Sequence, residues 1–313
     1  MNFMCILFLT LIGQSASITL PKQIQFAHYV VQHEANFYIL DGYQDMLARV
    51  DTDGNMVNQY HAKGLGPGEY QSLTNLVVVE NSIFLIDNKQ RKVIELDHDF
   101  QFKKQWFYQG GGVGGGIAIT PRSAYLYYYS PEKQNTVIHQ YDREWNLIRD
   151  FGHCFQPDEP KVKDPTRFGL SFTQGSLAVA NGKLFALHHF GYRIDVFDLD
   201  GNLLEKIPIP RVSPSSLFNQ KRQTLEVIAR ALTRDHDGNL YFFLSNRYPN
   251  AEVFIPRNLA FKLDTKTHEL VSRDLDQIWR YPIADGKVVD VIETDDGCRL
   301  EIKDNPFNGV DSP

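Results

Sequence analysis

One phrase recurs five times along the chain, and its period constrains the fold more than any other feature. "MLARVDTDGNMVNQY" (Met46 to Tyr60), "KVIELDHDFQFKKQW" (Lys92 to Trp106), "VIHQYDREWNLIRDF" (Val137 to Phe151), "RIDVFDLDGNLLEKI" (Arg193 to Ile207) and "LAFKLDTKTHELVSR" (Leu259 to Arg273) share one form. Each reads as a strand, an Asp, a tight turn and a second strand, because alternating apolar runs flank a cluster of turn residues. The aspartates are Asp51, Asp97, Asp142, Asp198 and Asp264, at intervals of 46, 45, 56 and 66 residues. A further strand pair precedes each phrase: "HYVVQHEANFYILD", "LVVVENSIFLID", "IAITPRSAYLYYY", "SLAVANGKLFALHH" and "ARALTRDHDGNLYFFL". The unit therefore has four strands.

A four-strand unit of about 40 to 50 residues is the period of a propeller blade, and the two longer intervals are blades with insertions. The tail "RYPIADGKVVDVIETDDGCRLEIK" (Arg280 to Lys303) holds three more strands. The leftover segment Ile18 to Ile24 supplies the fourth, which would remove the exposed edges an open sheet must protect. The expectation is an all-β, six-bladed β-propeller of four-stranded antiparallel blades, its ring closed by the N-terminal strand joining the C-terminal blade. A β-sandwich or a pair of β domains suits a 45-residue period less well. The one segment with a helical pattern is 215–232, with Ser215 as its cap.

The first residues, "MNFMCILFLTLIGQSAS", run apolar from Phe3 to Ile12 and end in small residues. This is the pattern of a secretory signal and is too short to span a bilayer, so residues 1–17 are read as a signal peptide and 18–313 as a single propeller domain. A secreted or periplasmic location follows, with no transmembrane helix. Cys5 lies inside the apolar run, leaving Cys154 and Cys298 in the mature chain, without the paired spacing of a zinc site. Lys and Arg number 32 against 38 Asp and Glu, so no global field favours nucleic acid.

Several motifs invite chemical readings that their context weakens. "GLGPGEY" (Gly64 to Tyr70) lacks the GK[ST] and the helix of a phosphate loop and runs into Leu76-Val77-Val78-Val79, so it is read as the joint from the rim of blade one to the axis of blade two. "QGGGVGGGIAIT" takes the same place between blades two and three. The D-x-D-G-N phrases at Asp51, Asp198 and Asp235 begin like calcium loops, but Ala62, Ile209 and Asn246 stand where the twelfth-position Glu belongs. They are read as hairpin turns, and no metal or cofactor is expected. His188 and His189 alternate to opposite faces of their strand, as Tyr128 does relative to Tyr125, Tyr127 and Tyr129. Trp106 and Trp145 are expected to pack between blades.

The stretch "GLGPGEY…LVVVENSIFLIDNKQRKVIELD" resembles the NHL-type repeat and, more closely, the six-bladed propellers found in secreted proteins of Bacteroidetes and related bacteria. The matching residues are Gly64, Leu65, Gly66, Pro67, Gly68 and Glu69, with Asp87 closing the second strand and Asp97 the third.

In an up-and-down blade, the loops between blades and those joining second to third strands share one face. All the extra length falls there, at 152–169, 211–227 and 245–258, and insertions gathered on one face mark a binding surface. Arg167, Arg247, Tyr248 and Arg257 in those loops, with Tyr129, His189 and Tyr192 at strand ends, are the candidate ligand contacts for a carbohydrate, peptide or protein partner. The alternative is a propeller-type hydrolase or lyase, lactonase-like, with its site at the central channel. The innermost strands read mainly apolar, which favours a binding module over an enzyme.

Overall fold

The structure is a computed structural model that describes residues 16–108, 116–130, 136–153, 175–189, 193–210, 218–219, 224–225, 227–235, 237–246, 258–275, 281–282, 286–294 and 297–308. Its first strand is β1 (Ala16–Thr19). Blade one follows as β2 (Ala27–His33), β3 (Asn36–Asp41), β4 (Met46–Asp51) and β5 (Met56–Tyr60). Blade two is β6 (Leu73–Val79), β7 (Ser82–Asp87), β8 (Lys92–Leu96) and β9 (Phe102–Phe107), and blade three is β10 (Ile117–Ile119), β11 (Ala124–Ser130), β12 (Thr136–Tyr141) and β13 (Leu147–His153). Blade four is β14 (Gly175–Ala180), β15 (Lys183–His188), β16 (Arg193–Asp198) and β17 (Leu203–Pro208). A two-residue pair, β18 (Phe218–Asn219) and β19 (Thr224–Leu225), precedes blade five, which is β20 (Val227–Arg234), β21 (Leu240–Asn246), β22 (Asn258–Leu263) and β23 (Leu270–Leu275). The sixth sheet holds β24 (Tyr281–Pro282), β25 (Lys287–Thr294) and β26 (Gly297–Asp304).

Within the first five blades strand order follows chain order and every pairing is antiparallel, whereas the sixth sheet runs β1-β26-β25-β24. This is a six-bladed propeller of four-stranded antiparallel blades. Two expectations are corrected. The N-terminal strand is Ala16–Thr19 rather than Ile18 to Ile24: it pairs Ala16 with Ile302 and Thr19 with Arg299 and ends before Pro21, which has no N–H to give a ladder. The helix expected over 215–232 is not formed at the described positions, because β20 starts at Val227 and pairs with Asn246 of β21. Tertiary pairing overrides a short helical pattern.

The core lies between neighbouring blades. Along β11, Tyr125, Tyr127 and Tyr129 pack with Leu177, Leu184 and Ala186 of blade four, while Leu126 and Tyr128 pack with Phe84 and Ile86 of blade two. Alternation thus makes one strand the floor of two cores, and each fully buried side chain of this size contributes about 1.5–3 kcal/mol. Trp106 of β9 stacks on Trp145, in the last turn of blade three, with ring centroids 4.4 Å apart. Near the axis, blades three and four approach so closely that only glycine fits. Gly116 N donates to Gly175 O at 3.1 Å, and a Cβ on Gly116 would lie 2.4 Å from the backbone nitrogen of Leu177.

The hairpins from third to fourth strand are fastened by their own aspartates. Asp198 Oδ1 accepts from the N–H groups of Asp200 and Asn202, and Oδ2 accepts from Asn202 Nδ2 at 2.7 Å. Asp51 with Asn55 and Asp142 with Asn146 repeat the arrangement, as does Asp235 with Asn239 in the hairpin opening blade five. The carboxylates are engaged by the turn itself. Hydrogen bonds from the Asn side chains, with those from backbone N–H groups, hold Asp51, Asp142 and Asp198 below the usual carboxylate range.

Candidate functional site at the loop-rich face

The glycine-rich stretch Gly64 to Tyr70 forms a closed joint. Gly66 N donates to the Glu69 carboxylate at 2.7 Å, Tyr70 N donates to Ala62 O at 2.8 Å, and Gly64 N donates to Tyr70 O at 3.0 Å. Gly68, at φ +76, donates to Gln105 Oε1 and receives the Tyr60 hydroxyl on its carbonyl. Burial, with the charge of Glu69 beside it, pushes the Tyr60 phenol up to about 12. Lys92, wholly buried, reaches Gln105 Oε1 at 3.3 Å and Gly66 O at 3.4 Å, and desolvation lowers its pKa. The Gly66 amide that would cradle a phosphate is thus already held by the chain's own carboxylate.

Asp41 and Asp87, which close the second strands of blades one and two, are tie points. Asp87 accepts from the backbone N–H groups of Gln71, Ser72, Lys89 and Gln90, and Asp41 from those of Gln25, Phe26, Tyr43 and Gln44. Each anchors the incoming blade link to the loop between second and third strands. At the equivalent strand end blade three has Ser130 and blade four has His188.

That substitution of His188 for an aspartate creates a polar group between blades three and four. His188 Nε2 lies 3.1 Å from Asp195 Oδ2, and Nδ1 lies 2.9 Å from the Tyr127 hydroxyl. A carboxylate only accepts, so in the neutral ring Nε2 carries the proton and Nδ1 accepts from Tyr127. Arg193 completes the group through Nη2 to Asp195 Oδ2 at 2.9 Å. Burial alone would raise Asp195, but the hydrogen bonds from His188 and Arg193 outweigh it and hold the carboxyl below its ordinary value. Gly175 is obligatory beneath the group, since a Cβ there would sit 2.3 Å from Tyr127 Cζ. A second histidine, His139 of blade three, is wholly buried with Nδ1 2.5 Å from Asp150 Oδ1 and Nε2 3.0 Å from Tyr128 O. Both neighbours are acceptors, so the imidazolium form satisfies both, and the ring stacks on Tyr128 at 3.6 Å.

The structure places two of the seven expected ligand contacts. His189 is half-buried at the end of β15 and shares a 2.8 Å hydrogen bond with Ser176 of the innermost strand, on the opposite face of the blade from His188. Tyr129 is 6% exposed and belongs to the core between blades three and four. Tyr192, Arg167, Arg247, Tyr248 and Arg257 lie outside the described residues. Tyr127, Arg193 and Asp195 were not among the expected contacts. Their signal was present as two charges at alternate positions, Arg193 and Asp195, among the apolar Ile194, Val196 and Phe197, with Arg193 registered against His188 and Asp195 against Ala186. An exposed aromatic also marks this face at blade one, where Tyr43, 71% exposed, lies with its ring centroid 5.0 Å from that of the half-buried Phe26. Among the described residues, no group of three or more His, Cys, Asp or Glu is arranged to hold a metal ion, and no helix is long and apolar enough to cross a membrane.

Residues 22–111 match the model of the family DUF5128, described as a 6-bladed beta-propeller. No curated protein matches the chain. Among solved structures, a Bacteroides fragilis protein named as a candidate exported protein is similar at a TM-score of 0.64 and 15% identity, over 93% of this chain and 95% of that one. A streptogramin B lyase is similar at a TM-score of 0.53 and 11% identity, over 93% and 97%. A Bacteroides thetaiotaomicron protein of unknown function is similar at 0.52 and 11%, over 93% and 76%. At these identities the likeness is one of fold, and folds of this kind carry unrelated functions.

Proposed function

We propose that the protein is an exported binding propeller that recognises a carbohydrate, peptide or protein partner on its loop-rich face. The observation that carries this reading is the contrast between the two faces. The described hairpins on one face are short and fastened by their own side chains, while the other face collects the long inter-strand separations, 153 to 175 and 246 to 258 among them. The half-buried His189 and Ser176 stand at its rim. On this reading His189, Tyr192, Arg167, Arg247, Tyr248 and Arg257 form the contact set, with Tyr129 packed in the core between blades three and four, and the apolar N-terminal segment directs export. The exported neighbour from Bacteroides fragilis supports the location, and the Gly64 to Glu69 joint supports kinship with NHL-type repeats. β1, paired with β26 and touching the Gly54 turn of blade one, would close the ring.

A channel enzyme of lyase or hydrolase type is the competing reading, and the Tyr127, His188 and Asp195 group is what favours it. Tyr127 and His188 are each 1% exposed, however, so a substrate cannot reach them without parting two blades. The group serves better as a tie between blades. The test is to replace Arg247, Tyr248 and Arg257 with alanine and measure binding to glycan and peptide arrays, beside a control with Glu34→Ala and Arg122→Ala on the opposite face. Loss of the native ligand in the first variant alone supports the assignment. Retention there with loss in the control overturns it.

A further inference from the structure

We propose that the joint between blades one and two is a docking site for an acidic peptide segment that carries a large apolar side chain. The inference rests on the loop-face reading above and names the class of partner and the place where it binds. Among the described residues, the three most exposed large apolar side chains are Tyr43 at 71%, Leu65 at 70% and Phe107 at 65%, and all three stand on the loop-rich face in blades one and two. Other exposed apolar residues, such as Ile148 and Leu204, lie at the hairpin ends of outermost strands. Single exposed apolar residues need no explanation, but a gathering of them on one face marks a surface that meets a partner.

Hydrogen bonds hold the three segments together. Tyr43 stands two residues before Asp45, whose carbonyl accepts from the Tyr70 hydroxyl at 2.6 Å and whose carboxylate accepts from Leu73 N and from Lys63. Gln90 Nε2 donates to Gly64 O at 2.8 Å, which fastens the loop over 88–91 to the joint, and Phe107 pairs in register with Lys92 beside that loop. The platform is fixed before anything binds, so little ordering opposes association. Its outward charges have one sign. The acids of this corner turn inward: Asp41 and Asp87 are buried on backbone N–H groups, Glu69 accepts from Gly66 N, and Asp45 is paired with Lys63. The exposed charged side chains there are Lys63, Lys89 and Arg91, and among the described residues Lys89 and Arg91 form no ion pair. Apolar side chains rimmed by unpaired cations, on a chain of net charge -6, complement a segment that joins carboxylates to a large apolar residue. A sugar would need carboxylates free to accept from its hydroxyls, and here the chain's own N–H groups and Lys63 occupy them.

The test is an array of short peptides that combine Asp and Glu with one Phe or Leu, probed with the full chain beside acidic peptides lacking the apolar residue, basic peptides and acidic glycans. Binding to the first set alone is expected, weakening as salt is raised. Two variants locate it: Leu65→Ser with Phe107→Ser, and Lys89→Glu with Arg91→Glu, all exposed positions whose replacement leaves the fold standing, as thermal melts check. Each should weaken binding by about tenfold or more. Absence of binding to the first set, equal binding to basic peptides, preference for the glycans, or unchanged affinity in both variants overturns the proposal. Self-association that Leu65→Ser with Phe107→Ser abolishes, without peptide binding, assigns the patch to a second copy of the chain and overturns it as well. A peptide lost in the alanine variant at Arg247, Tyr248 and Arg257 but kept in both of these overturns the docking site and leaves the loop-face reading intact, whereas one lost only in the Glu34 and Arg122 control overturns both.

Discussion

Replacing Ile18 by alanine tests whether β1 holds the two ends of the chain together. Ile18 is 6% exposed and packs against residues of blade one, including Val50, and of blade six, including Val289 and Leu300. Its Cγ2 and the carbonyl of Thr19 also meet Gly54, where an added Cβ would lie 3.2 Å from the one and 2.5 Å from the other. Truncating a buried isoleucine to alanine costs about 2–5 kcal/mol, and a site on an outermost strand that can partly collapse belongs near the lower end. At roughly 2–4 °C per kcal/mol for a domain of about 150–250 residues, a loss of about 2–3 kcal/mol lowers the melting temperature by roughly 4–12 °C. Ser17→Ala is the control, since Ser17 is exposed and such changes stay within about 0.5 kcal/mol. Differential scanning calorimetry at neutral pH reads both. If Ile18→Ala melts with the parent, or if Ser17→Ala falls as far, the strand does not fasten the ring and the reasoning fails.

Gly175→Ala should destabilise by about 1–3 kcal/mol through overpacking, because the new methyl meets the Tyr127 ring at 2.3 Å and the Leu187 carbonyl at 2.8 Å, and neither has room to give. Urea denaturation checks it, and a neutral result would mean that blades three and four can part at the axis. Acid should weaken the fold through the hairpin aspartates. Asp51, Asp142 and Asp198 have lowered folded values, so the unfolded chain binds more protons, and their contribution is intact above about pH 4 and lost as pH falls through those lowered values. Denaturation midpoints measured from pH 7 down to 3 should decline, less steeply in an Asp51→Asn, Asp142→Asn, Asp198→Asn variant; parallel declines would refute the assignment.

The architecture was legible because a propeller writes its period into the chain. Each blade needs the same turn chemistry at the same point, so Asp51, Asp97, Asp142, Asp198 and Asp264 announce five units before any contact is known. Alternation likewise separated Tyr125, Tyr127 and Tyr129 from Tyr128, since successive side chains in a strand must point to opposite faces. The roles of Gly64 to Tyr70 and of the D-x-D-G-N turns followed from what the flanking residues can and cannot form. All of this is local, with a spacing the backbone imposes.

What tertiary structure alone decided joins residues far apart in the chain. The N-terminal strand pairs from Ala16, two residues earlier than its apolar pattern suggested, because register is set by β26, nearly the whole chain away. The residues 224–225 and 227–234 became strand, since pairing with β21 outweighs a weak helical period. Tyr127 and His188 meet across 61 residues, with Asp195 on the next strand, and nothing near any of them in sequence predicts that a histidine at the place of Asp41 and Asp87 would find a phenol on the neighbouring blade. A repeat determines where strands turn, but the contacts between repeats depend on side chains one period apart, and only packing the blades against each other brings those together.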